Sequence, residues 1–189
     1  MTETPIKSFS SAALWRRWLA AHHAKSAGIW LRIQKKGSGK KTVTYAEALD
    51  EALCYGWIDG QKSEADETSW LQKFTPRRPR SIWSKKNREH VTRLIEAKRM
   101  TASGQKEVDA ARKDGRWDKA YDAASTMEIP ADFLRALEKD SKALSFFRSL
   151  NRANVFAIVW RLQTAKKPET RTRRMELILQ MMRDGRKFH

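Results

Sequence analysis

A single cysteine, Cys54, excludes any disulfide within the chain. It sits in an apolar run and reads as a buried small hydrophobe rather than a nucleophile. No Cys-x-x-Cys is present, and His22, His23, His90 and His189 form no His-x-x-x-His pair, so zinc-ligand spacing is missing. Asp59, Glu64, Asp66 and Glu67 could hold a hard cation, but they read as a solvated hairpin tip. There is no Gly-x-Ser-x-Gly elbow and no pair of carboxylates in a distinct polar frame. Lys35-Lys36-Gly37-Ser38-Gly39-Lys40-Lys41 has lysines and glycines without P-loop spacing, and reads as a flexible basic loop within reach of an anion. The expectation is a non-enzymatic protein with no catalytic residues, no metal and no cofactor.

Long apolar runs are lacking too. None approaches membrane-spanning length, and the first fifteen residues lack a basic segment followed by an apolar core. A soluble, cytoplasmic protein without a transmembrane segment is expected. Acidic residues are few: 22 Asp and Glu face 39 Lys and Arg, for a net charge of +17 and a pI near 10.3. The excess lies on both sides of Arg88, so it is a field and not a tail. Such a field draws nucleic acid, phosphorylated ligands or anionic surfaces.

What the chain does have is tryptophan. Eight Trp and 40% hydrophobic residues permit a real core, inside a shell charged enough to bring the mean hydropathy to −0.73. Ser10 or Ser11 is predicted to cap a helix with Leu14, Trp15, Trp18, Leu19 and His22 at helical spacing. Ile29, Leu31 and Ile33 alternate as a half-buried strand. Thr44 and Glu47 form a capping box, and Gly56 ends that helix. Asp59-Gly60 reads as a turn, followed by two short antiparallel strands over 61–65 and 69–75, with Pro76 and Pro79 stopping the sheet. Residues 1–88 are predicted as an α+β module with a small antiparallel sheet. Residues 89–189 are predicted to be mostly helical, with helix starts at Pro130, Ser141, Asn151 and Pro168.

The sharpest segment runs from Leu53 to Arg88. It carries Trp57, Trp70 and Trp83, then Lys73, Arg77, Arg78, Arg80, Lys85, Lys86 and Arg88, with no acid after Thr68. Arg77, Arg78, Trp83, Ser84 and Asn87 are predicted to line an anion-binding face, with Trp57 beside it and Asp59 holding one Arg. Ser84 would cap a helix whose free N–H groups point at the ligand. The same residues also fit a structural role, with an Arg paired to Asp59 or Asp118 and Trp83 in the core. A second basic cluster, Lys166, Lys167, Arg171 and Arg174, straddles a helix corner at Pro168.

The C-terminal run resembles the bacteriocin-protection, YdeI or OmpD-associated family. The signature is a Pro-started helix, a Phe-containing helix, then a helix running into Ala165-Lys166-Lys167-Pro168-Glu169-Thr170-Arg171-Thr172-Arg173-Arg174. Residues 128–185 carry it. The blocks Gly56–Gly60, Phe74–Arg78 and Trp83–Arg88 are similar to members of the same group. The resemblance implies a bacterial stress or envelope-linked accessory role in tolerance of bacteriocins or cationic antimicrobial peptides, and carries over no catalytic residues. Two readings remain: binding of an anionic ligand or protein partner through the Trp/Arg face, or binding of nucleic acid through the distributed charge. An unrecognised enzyme is the third.

Overall fold

The computed structural model describes residues 4–122 and 126–188. It has two compact units. One combines the chain up to Trp83 with Asn87–Lys119; the other combines Ser84–Lys86 with the chain from Ala120 onward.

The first unit is α+β. Ser11 caps α1 (Ala12–His22), its hydroxyl accepting the Leu14 N–H. The alternation at Ile29–Gln34 makes β2, with Ile29, Leu31 and Ile33 buried. Thr44 and Glu47 close their capping box at the start of α2 (Tyr45–Cys54). Gly56, at φ 74°, takes the left-handed turn out of that helix. β3 (Trp57–Glu64) and β4 (Ser69–Pro76) follow as an antiparallel pair.

Two features depart from the sequence reading. A two-residue strand β1 (Ile6–Lys7) adds a parallel edge, so the sheet is mixed, with order β1-β2-β4-β3. Asp59-Gly60 is not a turn: β3 runs through it, and the register with β4 slips between Asp59 and Lys62. Glycine accommodates such a bulge. The buried Gln72 compensates locally, its Nε2 donating to the carbonyls of Gly60 at 2.9 Å and Gln61 at 3.1 Å.

Trp15 anchors the core. It is fully buried, donates its Nε1–H to the Ala48 carbonyl at 3.0 Å, and meets the rings of Phe9, Trp57 and Phe74. Cys54, the last residue of α2, is buried, and burial pushes its thiol up. α3 (Lys85–Glu96) buries Val91 and Leu94, and α4 (Ala102–Lys113) buries Val108 and Ala111. Thr101 caps α4 and also ties it to α2, its N–H and hydroxyl both donating to the Cys54 carbonyl, at 3.1 and 2.6 Å.

The second unit is helical: α5 (Ala131–Glu138), α6 (Ser141–Arg148), α7 (Arg152–Gln163) and α8 (Pro168–Arg183). Asp140 and Asn151 cap α6 and α7, and Pro168 takes the first position of α8, where its missing N–H costs nothing. Phe133, Leu137, Phe147, Ile158, Leu162 and Met182 form its core. Arg171 pairs with Asp132 of α5, and Arg174 donates to the Arg161 carbonyl near the end of α7 at 2.7 Å. Two Arg of the C-terminal motif thus hold α8 in place.

Candidate anion-binding groove

The Trp/Arg segment divides on folding. Arg77 leaves β4 with its N–H on the Gly56 carbonyl and is only 7% exposed. Its guanidinium lies 3.6 Å from the centre of the Trp83 ring and donates to Ser81 Oγ and the Ile82 carbonyl. Trp83 packs on Trp117 at 5.0 Å, and Arg88 and Arg112 lie over Trp117 at 5.3 and 5.1 Å. Two packed indoles are thus flanked by cations, and desolvation strengthens the contact of the buried Arg77. Arg78 is exposed.

The remaining predicted site residues find other partners. Trp57 joins the aromatic core and donates to the His23 carbonyl at 3.1 Å. Asp59 accepts from the Tyr45 hydroxyl at 2.7 Å. Ser84 bridges Tyr121, whose carbonyl takes the Lys85 N–H at 2.8 Å, so that N–H is not presented to a ligand. Asn87 is half-buried in the first turn of α3. In the second cluster, Arg171 and Arg174 have the partners described above, while Lys166 and Lys167 are exposed.

A concave basic surface lies elsewhere in the first unit. The loop from Lys35 to Thr44 reverses through Gly37 (φ 89°) and Gly39 (φ 72°). Its ends are fixed: the Lys35 N–H donates to the Thr68 carbonyl, and the Gln34 N–H to Thr42 Oγ1. With the end of β2 and the start of β4 it walls a groove of about 760 Å³, lined by Lys35, Lys36, Lys40, Lys41, Tyr45 and Trp70 among others. Strand register places Trp70 opposite Ile33, and the indole is half-buried, 6.0 Å from the Tyr45 ring. Lys62 Nζ lies 4.6 Å from the Trp70 ring centre. Burial, then the adjacent Asp59 charge, push the Tyr45 hydroxyl far above its ordinary value, so it stays a neutral donor to Asp59. No acid lines this groove among the described residues, and the ion pairs there involve none of its lysines. Clustered lysines without carboxylates attract an anion, and aromatic walls suit one that carries a ring.

A network of buried acids went unseen in the sequence. Asp50 and Glu51 lie on the buried side of α2. Asp50 accepts from Arg93 at 2.6–2.7 Å and from His90 Nδ1 at 2.9 Å; Glu51 accepts from Arg16 at 2.7 Å and Arg99 at 2.6 Å. Acids flanked by Leu49, Ala52 and Leu53 on an otherwise apolar helix face were the available signal. Burial alone would push Asp50 up, but the hydrogen bonds from Arg93 and His90 outweigh it and hold its carboxyl below the usual range. A carboxyl depressed on folding contributes stability that is complete above its unfolded value of about 4 and is lost as the pH falls through its folded value. Asp50→Asn is therefore expected to cost about 2 kcal/mol at neutral pH. The gap from wild type should close as the pH drops below about 4. Urea titrations at a series of pH values check this; a gap that persists unchanged in strong acid would contradict it. Among the described residues, no three His, Cys, Asp or Glu side chains gather into a group able to hold a metal ion.

Comparison with known families agrees with this division of the chain. Residues 7–107 match the family model described as a domain of unknown function (DUF8412). That match spans more than half of the 189 residues, and the chain belongs to this family. Residues 126–185 match the model described as Bacteriocin-protection, YdeI or OmpD-Associated, the family whose signature the C-terminal motif resembles. No curated protein and no solved structure matches the chain. No helix among the described residues is long and apolar enough to cross a membrane.

Proposed function

We propose that this chain is a non-enzymatic, cytoplasmic accessory protein of the bacteriocin-protection or envelope-associated type, and that it holds an anionic ligand in the lysine-lined groove of its first unit. The C-terminal family match supports the role. One observation carries the binding: Lys35, Lys36, Lys40 and Lys41 converge on one groove with no carboxylate among them. Four like charges on a ten-residue loop repel one another, and a bound anion relieves that repulsion. The groove replaces the Arg77/Arg78 face as the preferred location, because Arg77 is committed to Trp83.

Short-chain inorganic polyphosphate is the probe. Titration calorimetry should show binding that weakens as salt rises. Replacing the four lysines together with alanine should lower affinity on the order of a thousandfold, at roughly 1 kcal/mol for each water-screened charge contact. Arg78→Ala should change it little. Unchanged affinity in the fourfold lysine variant would overturn the proposal.

A further inference from the structure

A second groove adjoins the first. It measures about 670 Å³ and is lined by Phe9, Leu14, Arg17, Trp18, His22 and Lys41 among others. Lys41 lines both grooves. No acid lines the second groove among the described residues either. Its aromatic wall comes from α1. Trp15, Trp18 and His22 lie three and four residues apart on one helix flank, so their rings stack in sequence. Trp15 and Trp18 are 5.3 Å apart at 14°, and Trp18 and His22 4.7 Å apart at 4°. Both faces of Trp18 are thereby covered, and the column ends on the exposed ring of His22.

We infer that the two grooves together bind single-stranded nucleic acid. This deepens the anion-binding reading and rests on it. Each groove pairs flat rings with cations: Tyr45 and Trp70 with the lysine loop in one, the His22-capped column with Arg17 and Lys41 in the other. A compact anion would need one such site. Two adjoining sites that share a cation suit a chain with a negative charge at each step and a ring to stack at intervals. Single strands have both properties; a duplex keeps its bases stacked on one another and offers only its backbone. Lys41, common to both linings, is placed to contact the phosphate between two stacked bases. The net charge of +17 adds long-range attraction without sequence preference.

The test is fluorescence anisotropy with a labelled deoxythymidine oligomer about twelve nucleotides long, beside an unlabelled duplex of the same length and polyphosphate of similar charge. The oligomer should bind with a salt slope of about −3, from neutralising roughly four phosphates. It should outcompete the duplex. His22→Ala and Trp70→Leu should each weaken oligomer binding about tenfold, as loss of a stacking platform does, and His22→Ala, which lies outside the lysine groove, should leave polyphosphate affinity unchanged. Lys41→Ala should weaken both. Thermal melts check the variants; because His22 is exposed, His22→Ala alone suffices if Trp70→Leu does not fold. If the ring variants leave oligomer binding intact, or the duplex binds as tightly as the single strand, the nucleic-acid inference fails while anion binding stands. If neither oligomer nor polyphosphate binds, both fail.

Discussion

Trp15→Ala is expected to lower the stability of the first unit by about 4 kcal/mol, near the top of the range for single core substitutions. Trp15 is fully buried and touches the rings of Phe9, Trp18, Trp57 and Phe74, so its loss leaves a cavity that rigid aromatic neighbours fill poorly. It also removes the hydrogen bond to the Ala48 carbonyl that ties α1 to α2. The column ending at His22 would lose its base. Urea unfolding followed by Trp fluorescence reads the right unit, because every Trp except Trp160 lies within it. A loss below about 1 kcal/mol would mean that the core can collapse around the gap.

Gly104→Ala is the second large effect, and its sign runs against helix propensity. In an exposed helix interior the change stabilises by about 1 kcal/mol. Here a Cβ on Gly104 would stand 2.2 Å from the Cys54 carbonyl oxygen, 2.7 Å from its carbon and 2.8 Å from Met100 Cε. Met100 can move, but the carbonyl cannot easily swing away, because Thr101 grips it through both its N–H and its hydroxyl. α4 must retreat from α2 instead, loosening the packing around Val108 and Ala111. The expected net cost is about 2–3 kcal/mol. A neutral or stabilised variant in the same urea experiment would show that α4 is not held against Cys54.

Local rules made most of the helices legible. The Ser11, Thr44 and Asn151 caps, the Gly56 exit and Pro168 all stand where their chemistry placed them. The alternation of Ile29, Leu31 and Ile33 likewise identified β2. The errors came from partners far away in sequence. β1 is two residues long and exists only because β2 is there to pair with it. Asp59-Gly60 has turn composition, yet pairing with β4 and the Gln72 side chain keep it in a strand. The buried acids Asp50 and Glu51 make sense only once Arg16, His90, Arg93 and Arg99 arrive from 35 to 48 residues away. The candidate site divides the same way. The lysine loop was readable as basic, and Arg77 and Trp83 as parts of one segment, but the stacking of that guanidinium on that indole was not. Strand register, which composition does not encode, brought Trp70 to the lysines.

The groove can be located directly by following backbone amide and indole resonances of the isotope-labelled protein during titration with polyphosphate. The account predicts that the largest shifts fall on the amides from Lys35 to Thr44 and on the Trp70 indole N–H, while the Arg77–Trp83 segment stays nearly still. Largest shifts at Arg78 and Arg80, or small shifts spread evenly over the basic surface, would contradict it.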